Sequence, residues 1–424
     1  MLPRIKIAYL NGQLGTVGES PDGLFALVMR MRSGEFQYVP IKIRSIEDLA
    51  LYDGLTEDSE IDLYRMVRQF YAEAEAGTEV YIFGVSFSDS YSTILSADSD
   101  GPLRYLITST KGAIRGIFIG SVSSGNGARP VNMDEGVMPV DGELEGGVMD
   151  TGISVGDDGV ATLEAGDGTL VGVADMAQHL AEWATSELYA PLFVVLSGIN
   201  YDGAPDFSEK GYNRVAIVIG DSQQSSGYDC VAILAGRLAS IPVHRNCGRV
   251  KDGPLAPVDM YIGNFPLAEA EQYGIVADLY NKRYITPRMY VGRSGYYFAD
   301  DNLACAPTDA YAHIAHRRVI DKAYRITYAT LLDMMLDELA VNEEGTLQVG
   351  VIKTWQQAVE NAINAQMTSN GELSVSEDNA GCECYINEKQ NVLATSRVDV
   401  TVKVRPCGYA RYIDVNLGFL VTSA

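Results

Sequence analysis

The chain has 424 residues, 47% hydrophobic and 21% charged, enough for two or three cored domains, which excludes global disorder and fibrous repeats. Its 32 Lys+Arg against 56 Asp+Glu leave a formal charge of −24, which opposes steady binding to nucleic acid. No apolar run reaches the ~18 residues needed to cross a bilayer, and the start reaches polar Asn11-Gly12-Gln13 before a signal-length apolar stretch forms. Synthesis in the cytoplasm without stable membrane insertion is therefore expected.

In chain order, Ile5, Ile7 and Tyr9 alternate with polar or small residues, and a second apolar run follows at Leu24 to Met29, so two strands joined by a loop are expected. A strand through Val39 to Ile43 meets Ser45, an N-cap with Asp48 three residues on, opening a short helix that stops near Gly54. Leu63, Met66, Val67 and Phe70 make a helical stripe within 59–76, before a strand from Glu79 to Val85. Strand, helix, strand is α/β layering.

Residues 131–170 hold nine Gly and ten acids with no Lys or Arg, and 130–209 hold sixteen acids and no Lys or Arg. This composition predicts a solvated, hairpin-rich insertion, with pieces such as Gly159 to Leu163 between turns; a calcium loop of the D-x-[DN]-x-[DN]-G type is absent. An amphipathic helix follows at Val173 to Leu188, then buried-type strands at Leu192 to Leu196 and Arg214 to Gly220, a helix at 229–240 and a strand at 257–262. The alternation predicts a central, largely parallel sheet covered on both faces.

A long helix is expected from Thr308 or Asp309 to about Val341, with Ile320, Tyr324, Tyr328, Leu331, Met335 and Leu339 as its apolar stripe and Arg317, Arg318, Lys322 and Arg325 on other faces. A second helix covers about Val351 to Met367. At the end, Val398, Val400, Val402 and Val404 alternate with polar residues, and the alternation resumes through Ile413, Val415, Leu417, Phe419 and Val421. Five bases against two acids from Lys389 onward give this stretch a local +3.

Little in the chain resembles catalytic machinery. There is no phosphate-binding G-x-x-x-x-G-K-[ST], and the glycines near Gly125 and Gly146 do not fit a dinucleotide fingerprint. His313 and His316 stand at i, i+3, but Arg317 and Arg318 adjoin them and no H-E-x-x-H is formed, so no metal is expected there. Six scattered cysteines read as free thiols; Cys382 and Cys384 share one strand face without the further ligands of a metal site. Ser86 after a strand lacks the closing glycine of a nucleophile elbow. Gly220-Asp221-Ser222 lies where α/β active sites form, so an enzyme with a site near Asp221 and Ser222 is one alternative.

The order of elements resembles the contractile tail sheath proteins of bacteriophages and phage-tail-derived injection systems. The similar residues are Pro40 to Asp48 with Gly54, the helix with Phe70-Tyr71 leading to Val80 to Phe83, Gly295 to Asp301, the helix with Arg317 to Lys322, Val341 to Leu347, and the two terminal strands. Tyr290-Val291-Gly292-Arg293-Ser294 stands where many sheaths carry a W-G-x-R-T-like stretch, which places the chain in a divergent branch. The resemblance implies a multidomain mixed α/β sheath fold, its central mixed sheet flanked by helices and extended by strand arms at both termini. It implies subunits in stacked six-fold rings around an inner tube, contraction without nucleotide hydrolysis, no cofactor, and a place in a virion tail or tail-like particle. The implied partners are further copies, the inner tube protein, and baseplate and tail terminator proteins.

On this reading residues 1–86 form the N-terminal arm and first part of the core, 87–190 an outward acidic lobe, 191–388 the main core and 389–424 the C-terminal arm. Ile5, Ile7, Tyr9, Ile413, Val415, Leu417 and Phe419 are the expected strand-exchange residues. Arg317, Arg318, Lys322, Arg325, Lys403, Arg405 and Arg411 are the expected cations facing a tube or a neighbouring subunit. A non-polymerising tail adaptor is the other alternative.

Overall fold

The computed structural model describes residues 21–98, 101–120, 154–155, 161–162, 169–198, 204–223, 229–377, 379–415 and 417. The chain divides into two compact units, Met1–Ala340 and Val341–Ala424. No helix of the described residues is long and apolar enough to cross a membrane.

The first unit is a six-stranded mixed sheet. Its strands are β1 (Phe25–Arg30), β2 (Ile41–Ile43), β3 (Val80–Val85), β4 (Gly116–Ile119), β5 (Phe193–Ser197) and β6 (Val215–Val218), in the spatial order β2-β3-β1-β4-β5-β6. All neighbours are parallel except β2, which runs antiparallel to β3 at the edge. β1, β4, β5 and β6 are buried at every position, which is why they read as continuous apolar runs: helices cover both faces of the parallel strands. Between the first strands come a short 3-10 turn, Ile46–Leu51, and α1 (Ile61–Glu73). At the turn the Asp48 carboxylate accepts the amide of the N-cap residue Ser45 at 3.3 Å, the reach-back bond of a capping box, and also the Arg44 amide at 2.7 Å.

Gly116 explains how the sheet's centre packs. It lies in register between Phe25 and Phe193, and a Cβ there would sit 2.9 Å from Phe193 Cζ. Without one, the rings of Phe25, Phe118 and Phe193 meet at centroid distances of 4.9, 5.8 and 6.0 Å, within the range of favourable aromatic pairs.

The stretch 87–190 is not an outward lobe as a whole. Helices α2 (Tyr91–Leu95) and α3 (Pro102–Ser109) lead into β4, which lies inside the central sheet, and α4 (Leu170–Ser186) buries Val173, Ala177, Leu180 and Ala184 in the same core. The expectation extended the acidic composition of 131–170 to the whole of 87–190, although α2, α3 and β4 precede it. Most of 131–168 lies outside the described residues; within it Ser154–Val155 pairs antiparallel with Ala161–Thr162. After β6 come α5 (Val231–Ser240) and a series of two-residue strand pairs, including Tyr261–Ile262 with Phe265–Pro266, so the strand expected at 257–262 is short and outside the central sheet.

The long helix is shorter than its periodicity suggests. α6 spans Ile314–Leu332, because Ala306 to Ala312 fold into turns and Asn302 bridges to His313 before the first helical residue. Met335 and Leu339 lie beyond its end.

The second unit begins at Val341, well before the boundary expected at 389. It contains α7 (Val349–Gln366), β7 (Cys382–Ile386) and β8 (Val400–Val404), the last two paired antiparallel. Val400, Val402 and Val404 stand opposite Ile386, Cys384 and Cys382, so both strands place their apolar residues on one face, which α7 covers.

Candidate assembly surface

α6 crosses the amino-terminal ends of the parallel strands, where its charged residues meet the residues preceding each strand. Asp22, three residues before β1, receives Arg325 Nη2 at 2.6 Å and Lys322 Nζ at 2.7 Å. Arg214, one residue before β6, points both to Asp321, 3.2 Å away, and to the Leu192 carbonyl at 2.9 Å. Asp321 also lies 3.5 Å from Arg317, whose guanidinium stacks over the Tyr311 ring at 4.1 Å. Arg318 donates to the Ile241 carbonyl and lies 5.8 Å over the Phe25 ring. The Tyr324 hydroxyl donates to the Thr185 carbonyl at 2.8 Å, joining α6 to the end of α4.

This corrects four of the expected surface cations. Arg317 and Arg318 are 3% and 5% exposed, and the Lys322 and Arg325 side chains are 12% and 11% exposed. A helix laid across strand ends meets partners on several faces, so its polar faces are enclosed as well as its apolar stripe. Arg115, just before β4, shares this crowding: burial, then the Arg325 charge, push its guanidinium down to about 8. Sequence reading missed Asp22, Arg115, Arg214 and Asp321, because each gains meaning only from residues up to three hundred positions away.

The second unit exposes cations near its end. Lys403 and Arg405 are exposed, Arg411 is partly exposed with its guanidinium 5.3 Å over the Tyr409 ring, and Glu383 faces Lys403 across the β7–β8 pair. On the β7 side the Glu360 carboxylate accepts the Cys384 amide at 2.9 Å. Among the described residues β8 pairs with β7 alone. An open strand edge carries unpaired backbone donors and acceptors, a template for a further strand. Beyond β8, residues 406–415 form no helix or strand; Tyr412, Ile413, Val415 and Leu417 are 71–96% exposed. Ile5, Ile7, Tyr9 and Phe419 lie outside the described residues.

At the other end of β6, Asp221 and Ser222 tie the strand end to neighbouring segments. Asp221 exchanges backbone hydrogen bonds with Tyr261, its carboxylate accepts the Gln223 amide at 3.1 Å, and the Ser222 hydroxyl receives Gln69 at 3.3 Å. The Gln223 bond is that of a strand-to-loop turn. Burial and the Glu360 charge push the Cys384 thiol up to about 12, so it is held as a thiol rather than a thiolate.

The chain matches the DUF2586 N-terminal domain over residues 2–302 and the DUF2586 C-terminal domain over residues 310–423. No curated protein sequence matches it. Among solved structures it is similar to the helical sheath of the anti-feeding prophage in the contracted state, with 15% identity, TM-score 0.60 and 99% of each chain covered. The six-fold symmetrised baseplate of the same prophage matches at 14% identity and TM-score 0.58, again over 99% of each chain. The contracted sheath complex of an extracellular contractile injection system, PVC, matches at 14% identity and TM-score 0.56, over 99% of this chain and 97% of that one. The chain belongs to the DUF2586 family, and its mixed α/β fold is that of the contractile sheath proteins.

Proposed function

We propose that this chain is the structural subunit of a contractile tail sheath. Subunits stack as six-fold rings around an inner tube and contract to drive that tube through a target envelope, without hydrolysing a nucleotide and without catalysing a reaction. The observation that carries this reading is the end-to-end likeness to sheath subunits, 99% of each chain in the first comparison, which leaves little of the chain for another activity. The open edge of β8 and the exposed apolar residues Ile413, Val415 and Leu417 support a lattice linked by strands passed between copies. A contact of this head-to-tail kind propagates helically when its rotation does not close. The further partners on this reading are the tube protein, the baseplate and the tail terminator, in a phage tail or tail-like particle assembled in the bacterial cytoplasm.

Electron microscopy of the purified full chain tests the proposal. Rods or stacked rings are expected, and a protein that stays a small species when concentrated with its tube partner would overturn it. Deleting Tyr409–Ala424 separates polymerisation from folding: the truncated chain should keep its circular dichroism and lose the rods.

A further inference from the structure

Just after the strand Tyr297–Phe298, two adjacent aspartates are enclosed together. Asp300 and Asp301 are 5% and 0% exposed, and His313, the residue before α6, is 8% exposed. A ligand atom from each of the three lies within 4.8 Å of the others. The carboxylates converge because one amide holds both: Asn246 Nδ2 donates to Oδ1 of Asp300 at 2.5 Å and to Oδ1 of Asp301 at 2.7 Å. Asp301 Oδ2 accepts the Ala315 amide at 2.8 Å, fixing this carboxylate at the first turn of α6. The Tyr280 hydroxyl is 3.3 Å from Asp300 Oδ2.

The histidine supplies the second observation. His313 Nδ1 lies 3.2 Å from Asp301 Oδ1, yet in a geometry that makes no hydrogen bond, so a buried ring nitrogen faces the carboxylates without a hydrogen-bond partner. Buried polar atoms are ordinarily hydrogen-bonded, and those that are not call for an explanation.

We propose that Asp300, Asp301 and His313 hold a divalent cation. Two carboxylate oxygens and an imidazole nitrogen suit Zn²⁺ or Mn²⁺; Ca²⁺ takes six to eight oxygens, which this set does not offer. The ion would join the 297–301 segment to the start of α6. It would thus brace the helix whose later residues lie across the strand ends. Its role is structural, and no reaction is routed through it.

The test uses the full chain after EDTA treatment and dialysis, with Zn²⁺ or Mn²⁺ added back. Bound metal is counted by plasma mass spectrometry, and the thermal midpoint is followed against metal concentration, since a ligand that binds only the folded state raises it. About one ion per chain and a rising midpoint are expected for one of these metals. Asp300→Asn and His313→Gln should each weaken uptake at least about tenfold, a loss of ~1.4 kcal/mol. His179 on α4 lies 3.5 Å from Asp175 and 3.9 Å from Glu182 in an exposed group, so His179→Gln is the control that should leave uptake unchanged. The proposal is overturned if wild-type chain takes up neither metal with an unmoved midpoint, if His179→Gln abolishes uptake, or if both site variants bind as wild type. The wild-type and control arms decide the matter even where a site variant fails to fold.

Discussion

Asp22 and Arg325, 303 positions apart, meet at 2.6 Å between Oδ1 and Nη2 and tie the approach to β1 to the long helix α6. Burial, the largest influence on this carboxyl, pushes its pKa up, but Arg325, Lys322 and Arg318 together bring it below the ordinary aspartate value of 3.8. A carboxyl whose folded value is depressed adds stability above the unfolded value and loses it as pH falls through the folded one. Denaturant midpoints should therefore drop for wild type below about pH 4, and Asp22→Asn should be less stable at pH 7 while the gap to wild type narrows as pH falls below that. Curves that stay parallel across that range would contradict the assignment.

Asp321 is the acid that Arg214 and Arg317 share inside the first unit. Asp321→Ala takes the shared carboxylate from two enclosed guanidinium groups, and the expected loss is about 3–5 kcal/mol in chemical denaturation. Arg214→Met and Arg317→Met with Asp321→Leu should recover most of it, because removing all three charges also removes their desolvation cost. A loss under ~1 kcal/mol, the range of exposed pairs, would mean that solvent reaches the site.

Gly236 on α5 allows α1 to come close: a Cβ there would lie 2.2 Å from the Phe70 carbonyl oxygen and 2.9 Å from Glu73 Cβ. Helix propensity alone favours Ala over Gly by about 1 kcal/mol. Overpacking of a close helix contact costs ~1–3 kcal/mol, and displaced backbone is the harder kind to accommodate. Gly236→Ala should thus lower the thermal midpoint despite the better propensity, which calorimetry will read directly.

The exposed cations of the second unit are assigned by charge reversal. Lys403→Glu with Arg405→Glu should spare polymers of the sheath chain alone and prevent assembly around the tube if this face meets the tube. Loss of the tube-free polymers places the pair in contacts between copies instead. Negative-stain images of both preparations distinguish the outcomes.

Alternation and apolar runs made the elements of the central sheet legible: β1, β3, β5 and β6 fall where their residues predict, as do α1, α5 and α7. A strand buried on both faces or a helix with one apolar stripe writes its period into adjacent residues. β4 was missed because 87–190 was read as one lobe from the composition of its acidic part, and composition averages over elements that the chain brings back to one sheet. The fate of the α6 cations was decided by tertiary structure alone. Nothing in Arg317, Arg318, Lys322 and Arg325 says whether water or Asp22, Tyr311, Phe25 and Asp321 surround them, because those partners come from segments distant in sequence. The convergence of Asp300 and Asp301 on Asn246 and His313 was illegible for the same reason. The terminal alternation of Ile413, Val415 and Leu417 was plain in sequence, but alternation alone does not supply the neighbouring edge that a strand needs, and the structure leaves these three exposed.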